Sequence, residues 1–327
     1  MTVKKYHKRK EYHLLFVTIQ RGLQQGLKLS WTLGKIVFPI TIAVTILQYT
    51  PILPAFIELM APFMHLLGLP GEAAMPLVLG NFLNLYAAIG AIVSFEFTIK
   101  EVFIMAMMLS FSHNLFIESS VAARVGISWW LISGIRVFLA IFAAVVINLV
   151  WSGGGEIAQY GFIRSADIYL DSWLTIFFHG LKTATIAIMQ LSAIIFPLMV
   201  MMQFFRELGW LTALSKNFAP FTRFLGMKEN TSFPLIAGIV MGLGFGAGVM
   251  IQAVEEDGVS KKDMMLALIF LVTCHAVIED TVVFIPLGIS VWPLLTIRFT
   301  LAVIITITVS LIWRIWDRRR RKIKYEH

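Results

Sequence analysis

The sequence predicts an all-α polytopic membrane protein made of two homologous halves, arranged as inverted-topology repeats with broken or re-entrant helices. Three observations carry that prediction. Long apolar runs alternate with short charged stretches, a collinear series of prolines and glycines recurs down the chain, and matching loops of the two halves carry opposite charge bias.

The apolar runs set the class. Of 327 residues, 58% are hydrophobic and 14% charged, against about 25% charged in an average soluble domain; the mean hydropathy is +0.81. A spanning helix needs roughly 20 mostly apolar residues. Runs such as 137–151 and 300–313 lack the alternation of a membrane barrel strand. The net charge of +8 does not indicate nucleic acid, because its carriers flank the terminal spans: Lys4, Lys5, Lys8, Arg9 and Lys10 before the first, Arg314, Arg318, Arg319, Arg320, Arg321 and Lys322 after the last. Basic flanks mark cytoplasmic ends and meet anionic headgroups. The expected partners are therefore membrane lipids and a small solute or cation, and no nucleic acid; a homo-oligomer is left open. The location is the cell membrane, multi-pass, with both termini cytoplasmic. The single cysteine, Cys274, excludes an intramolecular disulfide or a CxxC clip, and no cleavable signal peptide is visible.

The duplication is read from paired landmarks. Pro39 recurs as Pro197, Ala61-Pro62-Phe63 as Ala219-Pro220-Phe221, and Gly68, Pro76, Gly80 and Gly90 as Gly226, Pro234, Gly238 and Gly248, all 158 residues on. Gly26-Leu27-Lys28 recurs as Gly180-Leu181-Lys182. Later, Ile117-Glu118 matches Ile278-Glu279 at 161 and Ile135-Arg136 matches Ile297-Arg298 at 162. The organisation is a basic N-terminus (1–25), a first repeat (26–151), an external connector (152–179), a second repeat (180–313) and a basic C-terminus (314–327). The connector holds Gly153-Gly154-Gly155 and the acids Glu156, Asp167 and Asp171 against Arg164.

Each half reads as an apolar span (31–50, 184–204), an amphipathic stretch (51–68, 209–226), a Pro/Gly-marked span (73–94, 231–254), a span interrupted by polar residues (102–123, 264–284) and a clean span (127–151, 289–313). Residues 50–72 contain Glu58 and Glu72 and no Lys or Arg, whereas the matching stretch contains Arg206, Lys216, Arg223 and Lys228. Homologous loops of opposite charge belong on opposite sides of the membrane. Inversion needs an odd number of crossings per half, so one segment in each is broken, re-entrant or a fifth crossing. Such repeats commonly build a midplane site for a solute.

The interrupted spans supply the candidate site. Ser110-Phe111-Ser112-His113-Asn114 leads to Glu118, and Thr273-Cys274-His275 leads to Glu279-Asp280. An ionisable residue inside a span costs at least about 2.5 kcal/mol and faces a cavity or a partner. His275 and Glu279 lie four apart on one helical face, as do Asn114 and Glu118. His113, Asn114, Glu118, His275, Glu279 and Asp280 are the expected solute- or cation-binding residues, with His275, Glu279 and Glu118 as candidate metal ligands. Two carboxylates brought together at low dielectric need a cation or a proton between them. Cys274 is matched to His113 and reads as a small buried hydrophobe. Arg136 and Arg298 either pair with Glu118 and Glu279 or snorkel to an interface.

Gly242-Leu243-Gly244-Phe245-Gly246-Ala247-Gly248 follows no strand and is no nucleotide loop. Gly244, Gly246 and Gly248, with Asn81 and Asn84 in the first half, are expected to break a helix or line a path with backbone. No HExxH occurs, which speaks against a zincin-type protease. Neither a catalytic residue nor a cofactor is expected.

The duplicated pattern, best over Gly242–Asp280, resembles the Gate, or nucleoside recognition, family. That family takes in the membrane core of ferrous iron transporter B, the spore maturation membrane proteins and part of the concentrative nucleoside transporters. Gly244-Phe245-Gly246, the stretch Val249–Glu255 and Thr273-Cys274 are similar to the iron transporter's motifs. Ala247 stands where that transporter has cysteine, and no GTPase domain precedes the membrane part. The resemblance implies a transporter or channel for a cation or small polar solute, with a nucleoside-type transporter or a membrane scaffold subunit of an envelope process as alternatives.

Overall fold

The computed structural model describes residues 2–161 and 172–325. Arg164, Asp167 and Asp171 of the connector lie outside them, as do the side chains of the basic clusters at 4–10 and 319–322. Among the described residues the chain is helical, with one isolated bridge between Thr98 and Ile157. The helices are α1 (Thr2–Gln48), α2 (Ile52–Leu66), α3 (Ala74–Phe82), α4 (Leu85–Ile92), α5 (Ile99–Ser112), α6 (Leu115–Arg124), α7 (Trp129–Val150), α8 (Trp173–Glu207), α9 (Trp210–Phe224), α10 (Ser232–Glu255), α11 (Lys261–Thr273), α12 (Glu279–Val282) and α13 (Val291–Tyr325). Among the described residues five stretches are long and apolar enough to cross a bilayer: Leu15–Gln48, Ile99–Arg124, Trp129–Val150, Trp173–Glu207 and Val291–Arg318. A sixth forms only if the pair Ile52–Leu66 and Gly71–Phe82, bent by 91°, counts as one broken span.

The duplication runs through the local geometry. Single-turn 3-10 helices at Gly71–Ala73 and Glu229–Thr231 stand at matching places. The left-handed glycines that end α2 and α9, Gly68 (φ 74°) and Gly226 (φ 89°), are 158 residues apart. Past α4 and α10 the spacing becomes 162. Asn114 (φ 51°) answers Ala276 (φ 42°), and Gly126 (φ 77°) answers Gly288 (φ 74°). A positive φ at a non-glycine is rare, so the Asn114–Ala276 pair fixes the later register at 162 rather than 161.

The chain divides into two compact units that do not coincide with the sequence halves. One comprises Met1–Ala106, Ala144–Trp210 and Val282–Ile289; the other comprises Met107–Ala143, Leu211–Thr281 and Ser290–His327. In the first, α1 and α8, the leading spans of the two repeats, run antiparallel along their length. Gly22 faces Val200, Gly26 faces Phe196, Gly34 faces Ile188 and Gly180 faces Ile42. At Gly22 a Cβ would come within 2.5 Å of the Val200 Cα, so small residues set how closely these helices approach. Equivalent helices packed antiparallel are what a two-fold axis across the helix direction requires. At one end Glu207 binds Thr18 (2.6 Å) and Arg21 (2.8 Å). In the same unit the connector straps the start of α5: Lys100 N–H donates to Gly154 O, Ile99 N–H to Glu156 O and Ala158 N–H to Phe97 O. Burial raises the pKa of the Tyr160 phenol, which accepts from Phe97 N–H.

The second unit is organised around α11, where residues 266–273 are all buried. A helix that is apolar all round belongs in a protein interior, and Leu225, Leu235, Leu243, Met250 and Ala302 pack on it.

The Pro/Gly-marked span of each half, 73–94 and 231–254, is broken within its length. The 73–94 stretch divides into α3 and α4, with Asn84 capping α4 by accepting from Ala87 N–H at 2.9 Å. Asn81 stays helical and donates to Leu77 O. In α10 the break falls at Gly242 (φ 79°, ψ 172°), the position matching Asn84, and not at Gly244, Gly246 or Gly248, which remain helical. The reason is conformational: only Gly242 occupies a region closed to residues with a Cβ. The break frees the carbonyls of Gly238 and Ile239, which accept from Ala276 N–H (3.2 Å) and Val277 N–H (2.8 Å). In lipid such freed groups must find partners within the protein. Gly242→Ala should therefore cost about 1–3 kcal/mol, because its Cβ would also press on the Ala276 Cβ at 3.1 Å. Unfolding of the detergent-solubilised variant in graded SDS measures it.

Candidate functional site

Breaks in α5–α6 and α11–α12 place the polar residues of the interrupted spans in one buried cluster inside the second unit. α5 ends at Ser112, Asn114 turns the chain left-handed, and α6 begins at Leu115. α11 ends at Thr273, Ala276 makes the same turn, and α12 begins at Glu279. The break leaves the carbonyl of each histidine outside a helix, and an arginine from the following span takes it. Arg136 Nη2 donates to His113 O at 2.6 Å, and Arg298 Nη2 donates to His275 O at 2.9 Å. Arg136 Nε also reaches Phe111 O at 2.7 Å. Both arginines are 0% exposed, which removes the snorkelling alternative.

Each arginine then pairs with an acid. Arg136 Nη2 lies 2.6 Å from Glu118 Oε2, and Arg298 Nη2 lies 3.5 Å from Asp280 Oδ2. Arg298 thus pairs with Asp280, next to the Glu279 that the sequence offered as one alternative. At the register of 162, Glu118 corresponds to Asp280, His113 to His275, and Cys274 to Ser112 rather than to His113. The match of Glu118 with Glu279 failed because a shared Ile-Glu dipeptide outweighed the shared turn geometry one residue away. Glu279 is half-buried beside the cluster. Asn114 contributes its backbone: its side chain makes no cap hydrogen bond to α6.

The imidazoles complete the cluster. His113 Nδ1 is 2.7 Å from Leu109 O and His275 Nδ1 is 2.7 Å from Leu271 O. A carbonyl only accepts, so both Nδ1 atoms carry hydrogen and the Nε2 atoms point inward. His113 Nε2 lies 3.4 Å from Glu118 Oε1 and 3.8 Å from Asp280 Oδ1; His275 Nε2 lies 3.1 Å from Glu118 Oε2 and 3.5 Å from Asp280 Oδ2. The rings stack at 5.4 Å. All four residues are at most 6% exposed.

The charge accounting differs from the sequence expectation. The sequence expectation is that two carboxylates need a cation or a proton between them; here Arg136 and Arg298 stand beside Glu118 and Asp280 and offset their charge. What stays unbalanced is local. With neutral imidazoles, two nitrogen lone pairs face two carboxylates with no hydrogen between them. Among the described residues, His113, His275 and Asp280 form a group able to hold a metal ion, their ligand atoms lying within 4.8 Å of one another. Sequence reasoning left both arginines open and passed over Gly242. The common spacing of His113/His275 and Arg136/Arg298 was the available signal.

A family model described as Gate, nucleoside recognition, matches residues 30–129 and 188–290. His113 and Glu118 fall in the first segment, His275 and Asp280 in the second, and both arginines beyond them. A membrane protein of Bacillus subtilis strain 168, YvoD, described as uncharacterized, is 55% identical over 295 residues, spanning 90% of this chain and 95% of that one. No solved structure matches the chain.

Proposed function

From the premise that this chain belongs to the Gate, or nucleoside recognition, family of membrane proteins, we propose that it is a secondary transporter or channel for a cation or small polar solute, and not an enzyme. The observation that carries the reading is the buried cluster at His113, Glu118, His275 and Asp280, built from a broken helix of each repeat. Helix breaks that expose backbone and charge to a shared interior point are how many transporters form a substrate site. Buried ionisable residues in spans are costly and mark ion or substrate pathways. Each imidazole Nε2 lies 3.1–3.8 Å from an oxygen of both carboxylates, and such a set of lone pairs calls for an electrophile between them. The proposed setting is the cell membrane with both termini cytoplasmic, and exposed Trp130, Leu149 and Val150 suit contact with lipid.

The test is uptake into proteoliposomes under an imposed pH or cation gradient, with cations and nucleosides as trial solutes. Wild type should accumulate at least one of them, and His113→Asn/His275→Asn should fall about 10-fold or more toward the empty-liposome rate. Equal uptake by the two proteins would overturn the assignment of the cluster. No uptake by either would favour a membrane scaffold subunit.

A further inference from the structure

We infer that the cluster is a binding site for a divalent transition-metal cation of the zinc class, held by His113 Nε2, His275 Nε2 and a carboxylate oxygen of Asp280, with Glu118 as an outer counter-charge. This extends the transport reading by naming the class of ion, and it stands on geometry that survives if transport fails.

Four observations converge. The first is the tautomer. A metal-ligating histidine typically gives its other ring N–H to a carbonyl or carboxylate, which fixes the lone pair on the ligating nitrogen. Both histidines do this, through Leu109 O and Leu271 O. The second is spacing. Ligands at about 2.0–2.1 Å around a tetrahedral ion stand roughly 3.3 Å apart; the carboxylate of Asp280 lies 3.8 Å from His113 Nε2 and 3.5 Å from His275 Nε2, and the three ligand atoms lie within 4.8 Å of one another, so a few tenths of an ångström to somewhat over an ångström of contraction closes the set on an ion. The third is an unmet need: His275 Nε2 is fully buried without a hydrogen-bond partner, although carboxylate oxygens lie close by. The fourth is the inequality of the two acids. Arg136 grips Glu118 at 2.6 Å, whereas Arg298 stands 3.5 Å from Asp280, so Asp280 is the carboxylate freer to ligate.

Imidazole with carboxylate suits borderline divalent ions such as Zn2+, Co2+ or Ni2+ better than Mg2+ or Ca2+, which prefer all-oxygen sets. Three protein ligands leave one tetrahedral position for water or a small anion. An anion there would offset the ion's charge, and Arg136 Nη1 with Arg298 Nε and Nη1 are buried donors without acceptors.

The experiment uses the full chain purified in detergent, with any affinity tag removed and metals stripped by chelator. Zn2+ is titrated calorimetrically and Co2+ by visible absorption. Saturable binding at one ion per chain and the intense d–d bands of tetrahedral cobalt are expected. His275→Ala and Asp280→Asn should each weaken Zn2+ binding by more than the 10–100-fold that loss of a supporting hydrogen bond costs, while Glu279→Gln binds as wild type. The cobalt spectrum of the wild type needs no variant, so misfolding of a substitution does not spoil the test. Absence of saturable binding, a six-coordinate cobalt spectrum, or retained affinity in the His275→Ala protein would overturn the inference. If metal fails to bind but gradient-driven uptake still depends on the histidines, the metal site falls and the transport reading stands.

Discussion

Arg136→Ala should be the most destabilising single substitution in the protein, costing about 3–5 kcal/mol. That is the usual penalty for removing one partner of a buried ion pair and stranding the other charge. Arg136 makes three bonds at once: it pairs with Glu118 and donates to the carbonyls of Phe111 and His113. Its loss leaves an uncompensated carboxylate and strips donors from the break between α5 and α6. Arg298→Ala should cost less, because Arg298 donates to His275 O but stands 3.5 Å from its acid. Thermal unfolding of detergent-solubilised protein gives the order. Adding Glu118→Gln to Arg136→Ala should recover part of the loss by removing the stranded charge, though not the part due to the carbonyls. If Arg136→Ala unfolds within a degree or so of wild type, the pair is not the structural keystone of the break.

How much of this was legible depended on whether the signal lay in composition or in conformation. Membrane character, duplication and the polar run 110–120 follow from residue types and their spacing, which bilayer thickness and helix pitch constrain. The antiparallel contact of α1 with α8 was foreshadowed by the opposite charges of the following loops. Places where the backbone departs from regular helix were harder. Gly242, Gly244, Gly246 and Gly248 look alike in sequence, yet only Gly242 takes a positive φ; the choice is made by the carbonyls of Gly238 and Ile239 finding donors at 276–277. Asn114 in a left-handed turn is unsurprising, since asparagine tolerates it, but Ala276 in the same turn carries no composition signal. A one-residue error there moved the partner of Glu118 from Asp280 to Glu279. Buried arginines are the other case: by composition alone a lone arginine in an apolar span reads equally as interfacial or paired, and only the freed carbonyls at the breaks decide.

That register makes Asp280 and Glu279, adjacent acids of similar chemistry, unequal in effect. Asp280→Asn removes the charge facing His113, His275 and Arg298 while keeping its shape. An asparagine amide also presents donors where the cluster offers lone pairs, so the site would satisfy itself without an added ion. On the proposed function, uptake into proteoliposomes should fall about 10-fold or more, with the fold preserved as judged by gel filtration and unfolding temperature. Glu118→Gln should behave similarly in transport and additionally lose stability, since it loosens the 2.6 Å bond to Arg136. Glu279→Gln changes a half-buried carboxylate one position away and should leave uptake within about two-fold of wild type. The three variants form an internal comparison, because any general effect of removing one acid from α6 or α12 appears in all of them. Loss of transport in Glu279→Gln with normal rates in Asp280→Asn would mean that the working carboxylate follows the dipeptide match at 161 rather than the turn geometry at 162. Equal loss in all three would point instead to the summed negative charge of Glu118, Glu279 and Asp280, acting on the ion from a distance.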